Sequence, residues 1–282
     1  AYGSGAQVDQ VVGGLECVWI SHMHADHHLG LLTIMHERQK LLTRGLHVDS
    51  PASPPRPLLI VGPRELCNWV ATFRRLAGLH APFIFIANDR LQEKTWMPSA
   101  SAGWDPKLRG AIERLKDTLG VQALQTVSVK HCRDAWAVVV RHVSGLRIAY
   151  SGDCRPSEKF ARLGRGAHVL IHEATFEEAL QEEAVARKHS TAGEAMRVSR
   201  LMHAERLLLT HFSQRYPKIP GEMESEGHES GEEEERKTIA TTGVAFDLMK
   251  LRLPDLEWIP QLKGPSRWLF PGGEDGDEES VM

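Results

Sequence analysis

The sequence predicts a layered α/β protein, and two patterns lead there. Short apolar runs that read as buried strands alternate with helical segments along most of the chain. Histidines and aspartates fall just after those strands, where loops along one sheet edge collect functional groups. The length of 282 residues, with 41% hydrophobic and 25% charged, suits one large domain or two small ones. That composition excludes a wholly disordered, fibrous or disulfide-stapled protein.

The elements follow in order. Residues 17–20 are an apolar run that reads as a strand, and residues 21–28 are a polar, His-rich loop. Apolar residues at helical spacing predict a helix over 29–42, broken at Gly45. After a Pro/Ser loop at 50–57, residues 58–61 read as a buried strand. Pro63 then suits a first helical turn, with the helix running to about Leu76. Residues 83–86 read as a strand and 107–119 as an amphipathic helix. Three strand-like pieces follow at 123–129, 135–143 and 146–150, the last two joined by a turn at Ser144-Gly145. Helices at 158–163 and 177–187 flank a strand at 169–171. Thr191 with Glu194 three residues on forms a capping-box pattern that opens a helix to about His203. Residues 207–209 form a strand that leads into Thr210-His211.

The remaining composition narrows the setting. Four scattered cysteines make no disulfide framework and point to a reducing compartment. No apolar run reaches the roughly 20 residues of a membrane span, and no charged-then-apolar leader opens the chain. Residue 1 is Ala and the polar stretch 1–14 does not read as a complete N-terminus, so a processed or partial chain is expected. Residues 221–237 hold eight Glu and 271–282 hold five acidic residues. Both hold too few apolar residues to bury and read as a disordered insertion and tail.

Ser21-His22-Met23-His24-Ala25-Asp26-His27-His28 is the sharpest local feature. In an extended stretch His22 and His24 point to one side, and after a bend Asp26 and His27 can face a second centre. Imidazoles and a carboxylate crowded in this way suit a borderline-soft divalent ion such as Zn²⁺. Three further candidates sit at strand ends: His131, Asp153 in Ser151-Gly152-Asp153, and His211. A carboxylate can bridge ions about 3.5–4 Å apart, as in two-metal hydrolytic sites. Alone, each of the three reads as ordinary loop structure. Together with the loop they complete a seven-ligand dinuclear set.

This set, with its His-x-His-x-Asp-His loop, resembles that of the metallo-β-lactamase fold superfamily. His172-Glu173-Ala174-Thr175 and His189-Ser190-Thr191 narrow the resemblance to ribonuclease Z (tRNase Z), and to the C-terminal catalytic half of its long eukaryotic form. Ser151-Gly152-Asp153, Val129-Lys130-His131-Cys132 and 210–216 match that family as well, and the resemblance runs from about Val8 to Leu269. It implies an αββα four-layer sandwich over 1–270, interrupted by the acidic insertion at 221–237 and followed by the tail 271–282. It implies two Zn²⁺ ions, one held by His22, His24 and His131, the other by Asp26, His27 and His211, with Asp153 bridging. The implied reaction is phosphodiester hydrolysis that removes the 3′ trailer of precursor tRNA, leaving a 3′-hydroxyl on the tRNA and a 5′-phosphate on the trailer. Asp26 would orient the water or accept its proton. His189 paired with Glu173 would protonate the leaving oxygen, and Arg215 would contact a phosphate. His28 is left as a group supporting the ligands.

The match departs from the family at its start. Only 21 residues precede His22, so the first strands and the N-terminal half of the long form are missing from this sequence, and the chain alone is expected to fold poorly or act weakly. The family further implies a monomer in the nucleus or mitochondrion. Two rivals differ in class: a thioesterase or lactonase on the same fold, which has no reason to carry both tRNA-branch motifs, and a catalytically weak RNA-binding fragment, which has no reason to keep the metal loop.

A net charge of −3 seems to disfavour RNA. Setting aside the two acidic segments, however, leaves 32 basic against 24 acidic residues, a body of +8. That sign is compatible with a phosphate backbone.

Overall fold

The run Leu58–Gly62 explains the first sheet. All five residues are buried, as a strand covered on both faces requires, and such continuous apolar runs belong to parallel sheets. In the computed structural model, which describes residues 5–45, 56–92, 105–212, 241–245 and 249–262, this strand (β2) is the centre of three. β1 (Cys17–Trp19) and β3 (Phe83–Ala87) flank it, both parallel, with Val61 opposite Trp19 on one side and Ile86 on the other.

Among the described residues the second sheet has six strands in the order β4 (Val121–Ser128), β5 (Trp136–His142), β6 (Arg147–Tyr150), β7 (Val169–Glu173), β8 (Leu207–Thr210) and β9 (Thr242–Val244). The first three form an antiparallel meander, and β6 to β9 are parallel. Consequently β4, β6, β7 and β8 all run in one direction, and their C-terminal ends share one edge.

The sheets face each other. Leu59, Val61 and Ile86 of the first pack with Leu124 and Val138 of the second, joined by Ile112 and Leu115 of α5 (Pro106–Leu119). Behind the first sheet, Leu31 and Met35 of α3 (Gly30–Thr43) and Leu66 and Val70 of α4 (Arg64–Leu76) cover Leu58 and Ile60. Behind the second, Phe160 of α6 (Glu158–Leu163) and Met196, Val198 and Met202 of α8 (Ala192–Met202) cover Ala149, Leu170 and Leu207. This is the αββα sandwich.

Most expected elements are present, and the differences have local causes. The stretch read as polar and irregular at 1–14 contains a helix, α1 (Gly5–Gly13). Tertiary contact decides it: Val12 is buried, and the Arg38 guanidinium of α3 donates to the carbonyls of Val12 and Leu15 at 2.9 and 3.0 Å. The His-rich loop is extended only to His24 and then turns into a four-residue helix, α2 (Ala25–His28). The segment 177–187 splits into a 3₁₀ turn and α7 (Gln181–Arg187). The strand expected at 169–171 continues to Glu173. β9, too short to be read from its own residues, was not anticipated. The acidic segments 221–237 and 271–282 lie outside the described residues. Among the described residues no helix is long and apolar enough to cross a membrane, and all four cysteines are free thiols.

Candidate metal and catalytic site

Four strand ends deliver the site. Asp153 follows β6, His131 follows β4, Glu173 ends β7 and His211 follows β8. The His22–His28 loop leaves β1 of the opposite sheet, and the Trp136 amide, donating to the Ser21 carbonyl at 3.1 Å, ties the two sheets there. Gly152 permits the close approach. Its φ is +56°, and a Cβ would stand 2.9 Å from both Ser21 Cβ and the Trp136 carbonyl oxygen, so the left-handed turn and the space both require glycine.

Asp153 is the hub. Its Oδ2 lies 3.2 Å from His27 Nε2, 3.4 Å from His211 Nε2, 3.7 Å from His22 Nε2 and 3.8 Å from His131 Nε2. On one side, His131 Nε2 and His24 Nδ1 stand 3.1 Å apart beside His22. On the other, Asp26 Oδ2 is 3.5 Å from His27 Nε2 and 4.0 Å from His211 Nε2. The seven residues singled out in the sequence therefore meet at one place, in two groups of three on either side of Asp153.

The donors are set up for a cation. His22 Nε2, His27 Nε2 and Asp153 Oδ1 are buried and have no hydrogen-bond partner, a costly state that a metal ion among them would relieve. Burial and the neighbouring His27 push the His22 pKa down to about 3. Burial likewise lowers that of His131, so both imidazoles are neutral and carry a free lone pair. Each is held by its other nitrogen: His22 Nδ1 by the Ser21 hydroxyl at 2.9 Å, and His131 Nδ1 by the Lys188 carbonyl at 3.1 Å. Burial works to raise the Asp153 pKa, but the surrounding histidines outweigh it and hold the carboxyl well below the usual range. The residues fit a divalent ion that prefers imidazole and carboxylate, of which Zn²⁺ is the leading example.

Beside the hub lies a second construction. The Glu173 carboxylate, 1% exposed, takes hydrogen bonds from the Cys154 amide (2.7 Å) and His189 Nδ1 (2.9 Å) on Oε1. On Oε2 it takes them from the Ser190 amide (3.0 Å) and the Thr175 hydroxyl (2.6 Å). Burial alone would raise its pKa; this set of donors lowers it. For His189 burial opposes protonation, yet contact with Glu173 prevails and raises the pKa. The loop carrying His189 is fixed at both ends. Lys188 adopts a left-handed φ of +62°. On the other side Thr191 and Glu194 form the expected capping box, while Arg155 pairs with Glu194 and donates to the His189 carbonyl.

Reading the residues one by one missed the parts that work through hydroxyls, a main-chain carbonyl and a guanidinium: Ser21, Thr175, the Lys188 carbonyl and Arg155. Only Thr175 carried a signal, as the last residue of His172-Glu173-Ala174-Thr175. His28 supports the loop, with Nδ1 2.8 Å from the His24 carbonyl and the ring edge-on to Trp69. His172 is fully buried, bound through Nδ1 to the Glu173 carbonyl oxygen. The Cys132 sulfur lies near the His22, His24 and His131 donors, whereas the Cys154 thiol is buried and its pKa pushed well up. Arg215 lies outside the described residues.

Comparison with known proteins finds similar chains and folds. Residues 84–212 match the family model of the beta-lactamase superfamily domain. The chain is 37% identical to zinc phosphodiesterase ELAC protein 2 of Macaca fascicularis over 95% of its own length and 30% of that protein's. It is 33% identical to the mitochondrial tRNAse Z TRZ4 of Arabidopsis thaliana, over 93% and 30% respectively. The crystal structure of a long form RNase Z from yeast superposes with a TM-score of 0.73 at 27% identity, covering 95% of this chain and 36% of that one. The chain thus spans about 30% of the length of the curated relatives it matches. Its fold is the metallo-β-lactamase fold, and its sequence is similar to those of the tRNase Z and zinc phosphodiesterase proteins.

Proposed function

We propose that the chain is the catalytic part of a zinc-dependent endoribonuclease that removes the 3′ trailer from precursor tRNA. The observation that carries this reading is the pairing of a seven-donor hub around Asp153 with the His189–Glu173 couple beside it. The names of the relatives supply the substrate and the metal. His22, His24 and His131 would hold one ion, Asp26, His27 and His211 the other, with Asp153 shared. When bound, paired Zn²⁺ ions supply Lewis-acid activation of water and stabilise negative charge on a phosphoryl group.

The chain's own residues supply the proton chemistry. Asp26, 71% exposed at the rim, would orient the attacking water and take its proton. As the P–O3′ bond breaks, O3′ departs as a poor leaving group. His189 has Nδ1 committed to Glu173, which leaves Nε2–H free to protonate that oxygen, worth about 10²–10⁴-fold. Glu173 keeps the ring in the correct tautomer and stabilises its charged form. The products are a tRNA 3′-hydroxyl and a trailer 5′-phosphate.

The coverage of only 30% of the relatives supports a further N-terminal half acting with this part. The mitochondrial designation of the Arabidopsis relative supports a mitochondrial location. One domain over 1–270 remains the preferred division. The test is to present a precursor tRNA and a panel of thioesters to the protein with its upstream sequence restored. Cleavage at the 3′ end of the tRNA body with the stated end groups supports the reading. Thioester turnover with intact precursor tRNA refutes it.

A further inference from the structure

The hydroxyl of Thr175 meets two site imidazoles and the buried carboxylate at once. Its Oγ1 lies 2.6 Å from Glu173 Oε2, 2.8 Å from His211 Nδ1 and 3.2 Å from His189 Nδ1. A threonine hydroxyl has one proton to give and two lone pairs to receive with. Glu173 is ionised and can only accept, so the proton goes to Oε2. The 2.8 Å contact to His211 can then be made in one sense only, with His211 Nδ1–H donating to Oγ1. This tautomer leaves Nε2 as the lone-pair nitrogen, and Nε2 is the atom 3.4 Å from Asp153 Oδ2.

We propose that Thr175 is a positioning residue that fixes the metal-competent tautomer of His211 and ties it to the carboxylate that orients His189. One buried carboxylate thereby sets both rings, His189 directly through Oε1 and His211 through the Thr175 hydroxyl on Oε2. The arrangement is rigid at both ends. The Thr175 amide also points to Glu173 Oε2, at 3.3 Å, and the Ala174 amide donates to the Thr210 carbonyl at 2.8 Å. These bonds lock the residues preceding Thr175 and His211 to each other. His211 itself is held at a left-handed φ of +63°, a conformation that persists where its surroundings over-determine it. This inference rests on the reading of His211 as a metal donor.

Thr175→Val keeps the shape and removes the hydroxyl; Thr175→Ser keeps the hydroxyl, and Thr175→Ala serves as a second deletion should the valine variant fail to fold. Two readouts are taken on each: zinc affinity by chelator competition, and the His211 tautomer by ¹⁵N–¹H NMR of the metal-free protein. The parent and the serine variant should show His211 protonated at Nδ1. The valine and alanine variants should show protonation at Nε2 in part and bind their weaker zinc equivalent about 10–100-fold less tightly, with the serine variant recovering most of that loss. An unchanged tautomer and unchanged zinc affinity in the hydroxyl-free variants would overturn the proposal. A parent that takes up no zinc would instead refute the metal reading of the site, and the tautomer readout would still decide the role of Thr175.

Discussion

Glu173 Oε1 and His189 Nδ1 are 2.9 Å apart on a carboxylate that is 1% exposed and accepts further hydrogen bonds from three backbone amides and a hydroxyl. An acid so fully satisfied has little capacity left to bind metal, and the imidazole beside it is more readily protonated than an ordinary histidine. On the proposed reading the pair serves proton transfer rather than ligation. Replacing His189 with Ala should lower kcat by about 10²–10⁴-fold while leaving zinc content unchanged by elemental analysis. Lost zinc would make His189 a ligand instead.

The pH dependence follows from the same contact. The His189 pKa is raised, so its acidic form persists above the ordinary histidine range, and kcat should fall only as pH passes that raised value. Glu173→Gln removes the charge that opposes the effect of burial. The alkaline limb of the kcat profile should then move to lower pH. A limb that stays in place would detach it from this pair.

Asp153 contacts both groups of donors. Asp153→Asn removes the shared charge and leaves four imidazoles without their carboxylate partner, so zinc stoichiometry should fall below two per chain and precursor cleavage should be lost. Mass spectrometry under native conditions measures the first and a cleavage assay the second. Full occupancy by two ions in the variant would refute the shared role.

Gly152 fixes where Asp153 stands. Gly152→Ala forces a residue with a Cβ into φ +56° and pushes that carbon to 2.9 Å from the Trp136 carbonyl oxygen. The backbone conformation alone costs about 1–3 kcal/mol, and the contact adds to it. Urea denaturation should register a loss of at least this size. A variant as stable as the parent would mean that the turn relaxes freely.

Much of this was legible in the residues because the chemistry is concentrated. Four of the seven donors lie within His22–His27, and the other three follow segments that read as strands. Leu58–Val61 reads as a strand because burial on both faces demands continuous apolar sequence. What stayed hidden depends on the third dimension. α1 is held by the Arg38 guanidinium from a helix 26 residues further along. The Lys188 carbonyl reaches His131 across 57 residues, and the main chain leaves no mark of such a role in the side-chain pattern. Thr175 stood in a recognised motif, but its role depends on how a single hydroxyl proton is shared among three neighbours.

Zinc reconstitution tests the central claim most directly. The protein, with its upstream sequence restored, is stripped by chelator and titrated with Zn²⁺ while cleavage of a precursor tRNA is followed. The account predicts no cleavage in the stripped protein and recovery that is complete only as the second equivalent binds, with a 3′-hydroxyl on the tRNA product. Full recovery at one equivalent, or a fully loaded protein that leaves the precursor intact, would contradict it.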